Sequence, residues 1–175
     1  MPSVRFSVVP LCLALAFALG GCGGGKTVAK LTCPVAFIAP NLDSYTVLRQ
    51  GAAPSNNPND IAFGVKLTDV SSNCHSEVTG VRVTTKLTFV AARNDPDLRQ
   101  SDFSYFVAVA DGQQNILAKQ NFALRVDFAP RQKQMRIFEE ITTHLPTKDN
   151  TVAGTYGVVV GMQLDKQQLD LNRQR

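Results

Sequence analysis

The sequence holds little of what usually marks an active site. Its two histidines, His75 and His144, stand far apart with no paired carboxylate spacing, so nothing points to a zinc centre. No Gly-x-Ser-x-Gly nucleophile turn occurs. The balance is basic, formally +4, yet lysine and arginine never form a run, which describes a solvated surface rather than a nucleic-acid footprint. The apolar stretch from Val8 to Leu19 has twelve residues. A membrane-spanning helix needs roughly 20, and Pro10 shortens the usable length further, so a retained span is the weaker reading.

What is present first concerns address. Arg5 is the only charge before Lys26; the apolar core follows it and ends in Gly20-Gly21, the charge, core and small-residue order of a secretory signal over residues 1–21. Leu19-Gly20-Gly21-Cys22 resembles the lipobox of bacterial lipoproteins, although Gly20 departs from the more usual Ala, Ser or Thr. The resemblance implies cleavage before Cys22, lipidation of its thiol and attachment through acyl chains, each buried methylene contributing about 0.8 kcal/mol. The competing reading is a plain secreted protein with a free Cys22. Gly23 stands where the family's inner-membrane retention signal would place Asp. In a Gram-negative host this implies the outer membrane, facing the periplasm.

Gly20 to Thr27 also satisfies the letter of the G-x-x-x-x-G-K-T phosphate loop, with Phe106 to Asp111 resembling a Walker B strand. A phosphate loop needs a strand before it and a helix after it. Here the strand would be the signal core, cleavage would divide the loop, and Pro34 would stop the helix within about two turns. No nucleotide and no other cofactor is expected.

Without residues 1–21 the chain keeps 154 residues and a formal charge of +3, enough for one domain with a sizeable core. Residues 22–32 form the lipidated Cys22 and a Gly-rich tether, and 33–175 the domain. Of four cysteines, Cys12 leaves with the signal and Cys22 takes lipid. Cys33 and Cys74 remain as a candidate disulfide in an oxidising compartment, against the alternative of two buried thiols.

Period-two alternation predicts strands from Cys33 to Ile38, Tyr45 to Arg49, Ile61 to Leu67 and Val81 to Phe89. Further strands follow over Phe103 to Val109, Ile116 to Phe128, Met135 to Ile141, and Tyr156 to Leu164. Ser71-Ser72-Asn73 reads as a turn near Cys74. The strand through Phe106 and Ala108 is apolar on both faces and should be central, and the one bearing Glu139 and Glu140 should be an edge. Asp165 can cap a short helix with Gln168, letting Leu169 pack back on the sheet.

Many short strands and no crossover helices predict an all-β fold, an antiparallel β-sandwich with a short C-terminal helix. Tyr105-x-Val107-x-Val109 and Tyr156-x-Val158-x-Val160 resemble strands of immunoglobulin-like and fibronectin-like domains. The absence of Trp removes the buried Trp of antibody-type members. An up-and-down barrel stays open, because alternation leaves connectivity unassigned.

The reactive-looking residues have plainer readings. His75, Ser76 and Glu77 beside Cys74 point to alternate sides of an extended chain, as do Glu139 and Glu140. Phe63, Phe89, Phe103, Phe106, Phe122, Phe128 and Phe138 read as core in preference to an apolar ligand cavity. Partner contacts are better sought in the loops Gln50 to Asp60, Ala92 to Asp102 and Pro130 to Gln134. These readings together describe a non-enzymatic, lipid-anchored accessory or structural partner of an envelope assembly, contacting the membrane and a protein but no nucleic acid. A periplasmic module for a small apolar ligand or peptide is the alternative, and an enzyme without a recognisable motif the third.

Overall fold

The computed structural model describes residues 31–147 and 149–175. The export segment, Cys22, the glycine tether and the Gly20 to Thr27 pattern lie outside the described residues. Leu31, two residues before Cys33, packs against the core.

Eight strands among the described residues build two four-stranded sheets, the sandwich predicted from the alternation. They are β1 (Val35–Ile38), β2 (Ser44–Leu48), β3 (Ile61–Glu77), β4 (Gly80–Arg93), β5 (Gln100–Ala110), β6 (Ile116–Asp127), β7 (Gln134–Leu145) and β8 (Gly157–Met162). One sheet runs β1-β8-β5-β6 and the other β2-β3-β4-β7. Every pairing is antiparallel except β1 with β8, where Val35 to Ile38 run parallel beside Gly157 to Val160. Immunoglobulin constant domains join their first, second, fourth and fifth strands in one sheet. This chain joins its second, third, fourth and seventh, so the likeness is one of sandwich architecture. The two Tyr-x-Val-x-Val segments lie side by side, Val107 opposite Val160 and Val109 opposite Val158.

Alternation decides which side chains enter the core. Val65, Val83, Phe89, Tyr105, Val107, Val158 and Val160 are all at most 4% exposed. Phe89 meets Phe103 and Tyr105 at ring-centroid distances of 5.3 and 5.0 Å, and Tyr105 stacks on Phe122 at 5.1 Å. Such aromatic pairs add ~0.5–1.5 kcal/mol beyond area burial. The seven phenylalanines divide accordingly: Phe63, Phe89, Phe103, Phe106 and Phe128 are buried, Phe122 is half-buried, and Phe138 points outward at 70% exposure. That outward ring explains the imperfect pattern of β7, which is an edge strand as expected. The outer face of β5 is covered too, where Phe106 and Ala108 pack with Ala39 and Leu42.

One turn was misplaced by the alternation. Ser71-Ser72-Asn73 does not reverse the chain; β3 continues through it to Glu77, with Cys74 opposite Val83. A register shift between Leu67 and Asp69 inserts an extra residue, so the inward set changes from Phe63, Val65 and Leu67 to Val70, Ser72 and Cys74. The real reversal is at Val78-Thr79. Gly80 follows at φ +149°, and a Cβ there would lie 2.1 Å from the Leu145 carbonyl oxygen, so only glycine fits.

Helix α1 (Lys166–Arg173) starts with the predicted capping box, Asp165 Oδ1 accepting from the Gln168 amide at 2.8 Å. Leu171, not Leu169, is its buried apolar residue. Asn172 beside it donates to the carbonyls of Asn41 and Ser44, which ties the end of the chain to the β1–β2 connection.

Candidate functional site

Strand directions sort the connections between two poles. β3, β5 and β7 begin, and β2, β4 and β6 end, at the same pole, which gathers the segments 49–60, 94–99 and 128–133. These are the three loops that the sequence nominated for partner contacts. The chain enters at the other pole, where Cys33 is disulfide-bonded to Cys74 near the β3–β4 turn. β4 has 14 residues, so at ~3.3 Å per residue the poles stand roughly 45 Å apart.

Arg93 organises the loop pole. It ends the inward row of β4 and is 4% exposed, an unusual place for a guanidinium. Its nitrogens donate to the carbonyls of Gln132, Pro96, Leu98 and Ala129 over 2.5–3.4 Å, and its Cζ lies 5.3 Å from the Phe128 ring centroid. Five donors in a planar fork let one side chain hold two loops at once. Arg49 ties in the third: Nε donates to the Asn59 carbonyl at 2.8 Å and Nη2 to the Asn94 carbonyl at 2.9 Å.

Between the loops lies a cleft of about 770 Å³. Five cations line it, Arg49, Arg93, Arg99, Arg131 and Lys133, against one carboxylate, Asp97. The lining therefore carries a formal +4, as much as the whole chain. Among the described residues these five form no ion pair, whereas Lys66, Arg82, Lys86, Arg125, Lys166 and Arg173 each meet a carboxylate. Asp60 and Asp95 are close in sequence but do not line the cleft, and Asp95 Oδ1 is taken by the Asp97 amide. Pro58, Pro96 and Pro130 are on the rim.

Arg131 is held in a turn closed by the Gln132 amide donating to the Ala129 carbonyl at 3.0 Å. Pro130 precedes it and its own φ is +67°, the pattern of a type II turn, whose third position favours Gly or Asn. An L side chain in that region costs ~1–2 kcal/mol. The turn therefore sets a long cation where Gly or Asn would sit without strain, much as the Asp111 turn places Gln114 at positive φ.

His75 is exposed opposite Arg82, on the other side of the strand from Cys74. His144 has company that the sequence did not suggest: Glu77 Oε2 is 3.2 Å from Nδ1, and Thr79 Oγ1 is 3.5 Å from Nε2. Acid, imidazole and hydroxyl in that order resemble an acyl-transfer triad. Arg82 holds the other Glu77 oxygen, however, and the imidazole is 42% exposed, so the group works as a clasp between the β3–β4 hairpin and β7. Glu139 and Glu140 diverge, the first accepting from the Tyr105 hydroxyl at 3.4 Å and the second facing Lys86 at 3.9 Å. Asp111, the Walker-like aspartate, closes its own turn. Hydrogen bonds from the Asn115 side chain and amide hold its carboxyl below the usual range, and β5 before it has antiparallel neighbours on both sides. Among the described residues no three His, Cys, Asp or Glu side chains converge as a metal site. No helix there is long and apolar enough to cross a membrane.

Comparison with protein-family models, with curated proteins and with solved structures finds no match for this chain.

Proposed function

We propose that the chain is an exported lipoprotein, anchored through Cys22 in the outer membrane of a Gram-negative envelope and facing the periplasm. Its sandwich acts as a non-enzymatic accessory or structural partner of an envelope assembly, docking through the loop-pole cleft. The observation that supports this reading is the polarity of the domain. The chain enters at one pole beside the Cys33–Cys74 bond, and the cleft opens at the other. Residues 22–32 can span at most about 35–40 Å when extended, so an acylated Cys22 would keep the entry pole near the bilayer and present the cleft to the periplasm.

Cells carrying Cys22→Ser test the anchor. The expected result is an unprocessed or mislocalised precursor with no acyl incorporation; normal membrane fractionation of the variant would remove the lipoprotein reading. A photo-crosslinking residue at position 97, on the cleft, should capture a defined envelope protein, while the same probe at Lys166 should not. Equal capture at both positions would remove the docking reading.

A further inference from the structure

Resting on that docking reading, we propose that the cleft binds an acidic segment of polypeptide, its carboxylates meeting Arg99, Arg131 and Lys133 while Arg49 and Arg93 add charge to the wall. The cations come from three separate loops around about 770 Å³, a space larger than one small anion fills, so the occupant is an extended polyanion. No aromatic side chain lines the cleft, which removes the stacking platforms that single-stranded nucleic acid uses. Three rim prolines are the only apolar residues of the lining, too few to bury an acyl chain. Phospholipid headgroups offer phosphate in place of carboxylate, and vesicles therefore stand among the competitors of the test below. Arginine predominates, and its fork matches a carboxylate through two parallel hydrogen bonds. Arg93 and Arg49 are already committed to loop carbonyls, so they shape the cleft before any ligand arrives and the ordering cost of binding falls on few side chains.

The test uses the purified full-length lipoprotein in neutral detergent with a fluorescein-labelled octaglutamate peptide, read by anisotropy at low salt. Octaglutamate should bind, an octaglutamine peptide should not, and added salt should weaken the complex several-fold. The double variant Arg131→Glu, Lys133→Glu should lose about tenfold or more in affinity, and Lys166→Glu on α1 less than about twofold. Removing the lone carboxylate by Asp97→Ala should tighten binding. If circular dichroism shows the double variant misfolded, Arg99→Ala on a different loop gives the same reading. The proposal falls if octaglutamate does not bind, if Lys166→Glu is as damaging as the cleft variants, or if oligothymidylate, inorganic phosphate or phosphatidylglycerol vesicles compete better than the peptide. Failure here with continued crosslinking from position 97 would remove the acidic chemistry and leave the docking reading in place.

Discussion

Replacing Arg93 should do more damage than any other single change at the loop pole. Arg93→Met keeps most of the aliphatic stem and removes every donor. Hydrogen bonds from a charged group contribute ~1.5–3 kcal/mol each, and the ring contact with Phe128 ~0.5–2, but the four carbonyls share one guanidinium and their contributions do not add. Buried acceptors left without a donor cost ~1–3 kcal/mol each, and for four that share one side chain a combined loss of ~3–5 kcal/mol is expected. For a domain of this size each kcal/mol moves the midpoint by ~2–4 °C, so thermal circular dichroism should show a fall of roughly 10–15 °C. Arg93→Lys separates fork from charge. A point ammonium can reach fewer of the four carbonyls, so about half the loss should remain, and the segments 94–99 and 128–133 should become faster sites of tryptic cleavage. Both variants melting within ~0.5 kcal/mol of the parent would refute the hub. A lysine variant equal to the parent would show that charge alone suffices.

Two further predictions concern the core. Residues 33 and 74 are 41 positions apart, and the chain-entropy model assigns ~4 kcal/mol to closing such a loop; Cys33→Ser with Cys74→Ser should lower the midpoint by roughly 10 °C, and an unchanged melt would deny the bond a stabilising role. Burial raises the Tyr105 phenol well above its usual range, and the Glu139 carboxylate adds to the shift. An unfolded tyrosine ionises near pH ~10 while the folded one stays neutral, so stability is intact below that pH and declines as pH rises through it. Tyr105→Phe should flatten this alkaline decline; an identical profile in the variant would assign it to other groups.

The sandwich was legible because most strands announce their faces. Ile61 to Leu67, Val81 to Phe89 and Phe103 to Val109 alternate strictly, and those rows became the core. Cys33 and Cys74 could be paired by elimination, and Asp165 with Gln168 is a local signal that needs no tertiary information. Legibility failed wherever a feature depended on what the chain meets in space. The extra residue after Leu67 changed the inward face of β3, so a continuous strand read as a turn. Nothing local marks β1 and β8 as parallel partners. The cleft was hidden for the same reason: Arg49, Arg93, Arg99, Arg131 and Lys133 look scattered, and a search for runs of basic residues passes over them. The loops that carry them were visible; their convergence was not. Phe138 and the half-buried β7 show the converse, since an edge strand read from its glutamates was placed correctly despite its irregular pattern.

The parallel β1–β8 pair and the grip of Asn172 on the β1–β2 connection also set a clock. The hydrogen bonds from Asn172 cross 128 and 131 positions of sequence, so β1 and the β1–β2 connection wait for nearly the last residues before these contacts can form. At ~5–20 residues per second of synthesis, that wait is on the order of ten seconds. During it β2, β3 and β4 can pair from nearby residues, while the segment that will become β1 has no strand partner until β8 is made. The sheet that holds β1 is therefore completed last, and the contacts that close the sandwich form only after the C-terminal helix has been made.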